Sequence, residues 1–151
     1  MDITITPIGV VKSPVKDVDA LDTSWHTVES EIHIDTQYVA GLKGLDDWTH
    51  IIVIFMMHEV DFDPTQHLAF HPQGRDDLPE VGVFAQRSRY YPNSIGVTAV
   101  QLRGVEGNIV KIKGLDAIDG TPVLAIKPYA PVFDNAHDPG VPVWFVRLMQ
   151  G

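Results

Sequence analysis

The sequence predicts a mainly β fold, a small closed β-barrel with one short helix. Short stretches rich in Val, Ile and Phe recur between Gly, Pro and Asp punctuation, and only one segment carries a helical period. The 151 residues, 44% of them hydrophobic, suit a single domain spanning 1–151 with one apolar core. Closure is expected because six or more strands with little helix to cover them would otherwise leave edges open.

The opening Ile3-Thr4-Ile5-Thr6 alternates apolar and hydroxyl side chains and continues through Val10-Val11, which reads as a first strand ended by Ser13-Pro14. Residues 15–29 form a polar excursion, and Glu31 to Ile34 resumes as a short strand. Val39, Leu42 and Leu45 recur every third position, so the one short helix is placed over Thr36–Leu45. Ile51 to Met57 is nearly continuous β-branched and aromatic sequence, which predicts a central strand covered on both faces. A Pro- and Gly-bearing loop from His58 to Pro79 leads to a strand at Val81 to Ala85. Ile95 to Arg103 and Asn108 to Lys113 flank Gly104-Val105-Glu106-Gly107 as a hairpin, and Pro122 to Tyr129 and Val143 to Leu148 supply the last strands. Trp25, Trp48 and Trp144 are assigned to core or subunit contacts.

Composition excludes several function classes. Without cysteine there is no disulfide framework, thiolate metal site or sulfur nucleophile. No apolar run reaches membrane-spanning length, and MDITITPIGV lacks the basic flank and apolar stretch of a signal peptide, so a cytoplasmic location with no membrane partner is expected. The net charge of −9 opposes polyanions, but unevenly: the first 80 residues hold 15 acids and 4 bases, the rest 5 acids and 7 bases. Phosphate contact is therefore expected from the second half. His67 and His71 stand four apart, a spacing that on a helix can bind a metal, but Pro64 and Pro72 bracket them and no third ligand is nearby; no metal is expected.

Two runs concentrate unusual chemistry. Gly82-Val83-Phe84-Ala85-Gln86-Arg87-Ser88-Arg89-Tyr90-Tyr91-Pro92-Asn93-Ser94-Ile95-Gly96 joins guanidinium donors, aromatic faces and a Pro-Asn turn. Gly114-Leu115-Asp116-Ala117-Ile118-Asp119-Gly120-Thr121-Pro122-Val123-Leu124-Ala125-Ile126-Lys127-Pro128-Tyr129 places two carboxylates three residues apart before a strand. For Asp119 the Asp-Gly turn is an equally good explanation.

The order Gly-Val-Phe-Ala-x-Arg-Ser, Pro-Asn-x-Ile-Gly and Leu-Asp-x-x-Asp-Gly-Thr-Pro-Val-x-x-Ile-Lys-Pro-Tyr resembles the TrmO-like (TsaA/YaeB-type) S-adenosylmethionine-dependent methyltransferases. Ile8-Gly9-Val10-Val11-Lys12-Ser13-Pro14, Gly41-Leu42-x-Gly-Leu45 and His58 extend the likeness from about Ile8 to Pro131. The resemblance implies a barrel outside the Rossmann methyltransferase classes, a homodimer with S-adenosylmethionine near the subunit interface, and methylation of N6 of threonylcarbamoyladenosine beside the tRNA anticodon. It assigns cofactor contact to His58, Glu59, Arg87, Val97, Asp116, Ala117, Ile118 and Asp119.

The chemistry of methyl transfer adds roles to those positions. Arg87 suits the cofactor carboxylate through two parallel hydrogen bonds, and Phe84 with the carboxylates suits a positive sulfonium. Asp119, Asp116 and His58 are candidate proton acceptors, with Asp119 and His58 taken as the catalytic pair. Arg89, Tyr90 and Tyr91 are expected to meet the anticodon loop, with Asn93, Lys127 and Tyr129 completing the acceptor side. The chain departs from the family pattern at Tyr91 and Ser94, where Arg and Pro are usual, at Ala125, where Asp is common, and around Asp22-Thr23-Ser24, where a Pro-Arg-Gln cofactor loop falls. The bacterial C-terminal tRNA-contacting segment is not matched. The alternatives are a methyltransferase of the same fold acting on a small molecule, and a non-catalytic S-adenosylmethionine-binding module.

Overall fold

Six antiparallel strands close into a barrel in the computed structural model, which describes residues 1–21 and 24–151. In chain order they are β1 (Gly9–Lys12), β2 (Glu29–Ile34), β3 (His50–Met56), β6 (Ile95–Glu106), β7 (Ile109–Lys113) and β8 (Pro122–Pro128). The circuit runs β1-β2-β7-β6-β3-β8 and returns to β1, so no barrel strand presents an open edge. Asp22 and Thr23, in the segment expected to hold the cofactor loop, lie outside the described residues.

The chain divides into two compact units, a barrel unit of Met1–Glu59 with Ile95–Ala130 and a second unit of Val60–Ser94 with Pro131–Gly151. The barrel interior is filled by Val11, Ile32, Ile51, Val53, Phe55, Val100, Val110, Ile112 and Val123. These are alternate residues of their strands, as a one-sided core requires. Gly9 and Gly96 are there for space. A Cβ on Gly9 would stand 2.4 Å from the His33 carbonyl oxygen, and one on Gly96 2.4 Å from the Phe55 ring.

Several expectations are corrected. β1 starts at Gly9, and Ile3 and Ile5 stand exposed, because β1 already pairs with β2 and β8 and Ile3–Thr6 meets no further strand. β3 is buried on alternate residues, its other face being half-buried; in a closed barrel one face turns inward. The helix expected over Thr36–Leu45 is 3₁₀ turn at Thr36–Leu42, followed by a separate turn at Leu45–Asp47 beyond Gly44 at φ 82°. The glycine-rich hairpin turn shifts toward Gly107, because β6 continues through Glu106 with an extra residue at Arg103. None of the three tryptophans is buried, and Trp48 is the exposed one.

The second unit holds two-residue strands β4 (Ala69–Phe70) and β5 (Val81–Gly82), and helices α1 (Pro64–His67), α2 (Pro131–Asp134) and α3 (Val143–Met149). Only the start of the strand expected at Val81–Ala85 forms, with a 3₁₀ turn taking Val83–Ala85. Val143–Leu148, read as a strand, is helix. Pro142 fixes its entry, the Pro142 carbonyl accepts the Phe145 N–H at 3.0 Å, and Arg147 reaches Asp77 at 3.3 Å. Tertiary anchoring overrides a β-branched composition.

Candidate functional site

In the barrel unit the segment 114–121 is pinned to the core on one side and polar on the other. Gly114 takes φ 99° against the His26 backbone, and Leu115, Ala117 and Ile118 are buried. The backbone is tied by Asp119 N–H to the Val15 carbonyl at 2.7 Å and Gly120 N–H to the Val11 carbonyl at 2.8 Å, while the Thr121 hydroxyl donates to the Ile118 carbonyl at 2.7 Å. Burial of these apolar neighbours leaves Asp116 and Asp119 as half-buried carboxylates on a fixed frame.

Each carboxylate has an assigned partner. The Asp119 Oδ1 accepts the Ser13 N–H at 2.9 Å and its Oδ2 lies 3.1 Å from the Lys16 ammonium. The Ser13 amide first, then Lys16, holds the Asp119 carboxyl below the usual carboxylate range. The Asp116 Oδ1 accepts the Thr98 hydroxyl, on β6 beside the exposed Val97. His58, just past β3, comes to the same turn: a Cβ on Gly120 would stand 4.0 Å from His58 Nε2. That nitrogen is 3.8 Å from Glu59 Oε1. The structure therefore brings His58 to the Asp119-Gly120 turn. The sequence reading missed Ser13 and Lys16 as the residues that fix Asp119, although Lys12-Ser13-Pro14 stood in the family run; Thr98 carried no such signal.

On β8, Lys127 is exposed opposite Ile52 of β3, and Tyr129 donates its N–H to the His50 carbonyl at 3.0 Å with the two rings edge to face. Ala125 lies opposite Ile54.

The second unit carries the other run. Gln86 is buried, and its amide donates to the Phe70 and Val81 carbonyls at 3.3 and 3.2 Å, which fixes the chain just before the exposed Arg87. Phe84 is 80% exposed, an open aromatic face. Tyr90 stacks on His67 with ring centroids 4.0 Å apart, and the Arg89 guanidinium lies 5.6 Å from the Tyr90 centroid. The Tyr91 hydroxyl donates to the Gln86 carbonyl. Asn93 and Ser94 take φ 70° and 50°. A proline, usual in the resembling family where Ser94 stands, requires φ near about −65°. This loop therefore follows a path proline cannot take.

His67 Nδ1 accepts the Asp63 N–H at 2.9 Å and His71 Nδ1 meets the Leu78 carbonyl at 2.8 Å, so both imidazoles serve local structure. Among the described residues, no cluster of three His, Asp or Glu is arranged to hold a metal ion. No described helix is long and apolar enough to cross a membrane.

Residues 11–135, a span that includes both motif runs, match a family model, the tRNA-methyltransferase O N-terminal domain. The chain belongs to the TrmO N-terminal-domain family. An S-adenosyl-L-methionine-binding protein of Archaeoglobus fulgidus is 39% identical over 132 residues, covering 86% of this chain and 91% of that protein. A probable S-adenosyl-L-methionine-binding protein of Methanothermobacter thermautotrophicus is 38% identical over 138 residues, covering 89% and 96%. The tRNA (adenine(37)-N6)-methyltransferase of Escherichia coli is 34% identical over 143 residues, covering 87% of this chain and 59% of that enzyme. A TrmO crystal structure superposes with a TM-score of 0.76 at 28% identity, over 95% of this chain and 62% of the other. The chain thus spans nearly all of those two archaeal relatives and about three fifths of the Escherichia coli enzyme and of the TrmO chain in that crystal structure.

The donor set fits S-adenosylmethionine. Carboxylates at Asp116 and Asp119 suit its hydroxyl, ammonium and sulfonium groups, and Val97 offers an apolar face for a base. Arg87, in the second unit, suits a carboxylate.

Proposed function

We propose that this chain is an S-adenosylmethionine-dependent methyltransferase acting on the N6 nitrogen of threonylcarbamoyladenosine beside the tRNA anticodon, as a cytoplasmic homodimer. The observation that carries the reading is the turn where His58 meets Asp119-Gly120 on a barrel of the TrmO N-terminal-domain family. Relatives named for S-adenosylmethionine binding and for tRNA adenine N6 methylation support it.

The bound cofactor supplies an electrophilic methyl group. In the barrel unit the residues that would hold it are Asp116, Asp119, Glu59, Val97 and the backbone of Ala117 and Ile118, and the second unit's own candidates are Arg87 for its carboxylate and Phe84 for its sulfonium. Alignment of the acceptor nitrogen behind that methyl, with water excluded, supplies most of the rate. As the N–CH₃ bond forms, the N6 proton must leave. His58 takes it. Asp119 is the weaker acceptor, because the Ser13 amide and Lys16 ammonium stabilise its charged form. Asp119 serves instead to fix the turn, and its carboxylate would supply negative charge toward a sulfonium. For the acceptor, the second unit would offer Arg89, Tyr90 and Asn93, and the barrel unit Lys127 and Tyr129.

A smaller acceptor on the same fold is the second reading. It is favoured by Tyr91, whose hydroxyl is engaged with Gln86 where the family usually has a cation, and by the Ser94 backbone. The deciding experiment incubates the protein with S-adenosylmethionine and tRNA, then weighs the nucleosides of a digest. A gain of one methyl on threonylcarbamoyladenosine supports the leading reading. Calorimetric binding of the cofactor without that gain moves the assignment to the smaller acceptor, and absence of binding rejects both.

A further inference from the structure

A groove of about 850 Å³ lies on the barrel unit beside the candidate site. Lys12 and Lys16 line it from the end of β1 and the loop beyond, Arg103 from β6 and Lys111 from β7. Four of the chain's eleven lysines and arginines thus gather at one place on a protein of net charge −9. Asp119 lines the same groove, so it adjoins the turn that meets His58.

The strands explain the gathering. Lys12 of β1 and Lys111 of β7 stand on either side of Glu31 in register. Arg103 is the extra residue of the β6 bulge, between Leu102, paired with Ile112, and Gly104, paired with Lys111; a bulge re-aims the side chain it carries. Carboxylates steady the cations, with Lys16 3.1 Å from Asp119, Arg103 3.7 Å from Glu29 and Lys111 3.2 Å from Glu106. One such contact does not saturate an ammonium with three donors or a guanidinium with five. Ser30, which also lines the groove, has a buried hydroxyl with no hydrogen-bond partner among the described residues. A buried donor of that kind is satisfied by an acceptor or a bridging water.

We propose that this groove receives the phosphate backbone of the RNA substrate next to the methyl-accepting nucleotide, an inference that rests on the tRNA reading above. Cations from three separate strands suit a run of linked phosphates better than a single small anion. Glu29, Glu31 and Asp119 also line the groove and temper its field, but its cations still outnumber its carboxylates on a protein whose net charge of −9 repels RNA elsewhere.

The test measures binding of an anticodon stem-loop RNA carrying the acceptor adenosine, across a series of salt concentrations, with cofactor affinity measured in parallel. The double variant Lys12→Glu, Lys111→Glu should raise the RNA Kd at least about tenfold and flatten the log Kd against log salt slope by about 2. Glu29→Gln, which releases Arg103, should lower the RNA Kd severalfold, a gain that no folding defect produces. Cofactor affinity should match the parent in both. If the parent binds RNA and the double variant keeps its Kd and slope, the groove is rejected while the tRNA reading stands. If the double variant also loses the cofactor, an unchanged Kd for Glu29→Gln rejects the groove by itself. A parent that neither binds nor methylates RNA sinks both.

Discussion

The barrel unit and the second unit hold their candidate residues in place by different physics. In the barrel, Val11, Ile32, Ile51, Val53, Val110 and Val123 have no exposure, and a closed ladder supports the loop that carries Asp116 and Asp119. In the second unit the buried residues are few, among them Val60, Leu78, Val83 and Gln86, and the sheet is two residues wide at each strand. There, single polar bonds do the positioning: Gln86 to Phe70 and Val81, His71 to Leu78, and Arg75 and Arg147 to Asp77. A carboxylate on a packed barrel keeps its geometry without a ligand, whereas a guanidinium on a polar loop adapts to one. The expected cofactor positions draw on both kinds of support.

Exchanging one residue in each unit is the sharpest way to break this comparison. His58→Ala should lower kcat by about 100-fold or more, because the proton acceptor is lost. Arg87→Ala should instead weaken cofactor binding by about tenfold or more, since charge-assisted hydrogen bonds contribute about 1.5–3 kcal/mol. Its turnover at saturating cofactor should change far less. Calorimetry and saturation kinetics on both variants check this. If both move only the binding constant, His58 is not the proton acceptor and the barrel turn does not carry the chemistry.

Stability should divide along the same line. Ile51→Ala empties a fully buried barrel position and should cost about 2–5 kcal/mol in a denaturant titration. Gln86→Leu strands the Phe70 and Val81 carbonyls, at about 1–3 kcal/mol. Its effect should appear as faster amide exchange and protease cutting within 60–94, with barrel amides still protected. Equal loss of protection in both units would show that they open as one.

What the sequence made legible follows from the same division. Barrel strands such as Ile51–Phe55 and Val110–Ile112 declare themselves because their apolar periodicity is the core itself. The Asp116–Asp119 run was readable as a motif, and His58 was raised above an ordinary strand-end histidine only by the family order. In the second unit the motif run and the start of the strand at Val81 were readable, but the rest of its fold was not. Val143–Leu148 has a strand's composition, but it folds as helix after Pro142 with Arg147 on Asp77. Neither Tyr90 on His67 nor Tyr91 on Gln86 follows from spacing, so two tyrosines expected at the acceptor already have partners within their own unit. Long-range ties such as Ser13 to Asp119, 106 residues apart, leave no local trace.

Acid gives the smallest effect and separates the units by degree. Among the described residues, three carboxyls lie below the usual range: Asp119 in the barrel, through the Ser13 amide and Lys16, and in the second unit Asp63, through Thr65, and Asp77, through Arg75. A depressed folded-state value means that the unfolded chain binds the proton more tightly. The stabilisation is therefore present above the unfolded carboxylate value of about 4 and fades as pH falls through the lower folded values. Asp119→Asn should then differ from the parent in stability at neutral pH and converge on it in acid, with Asp77→Asn behaving alike. Because apolar burial does not titrate, the barrel should outlast the second unit on acidification. Amide exchange followed to below about pH 3 should show protection lost at Gln86 and Val83 before Val53 and Val100. The reverse order would mean that the carboxylate at the candidate site, rather than the packed interior, holds the barrel together.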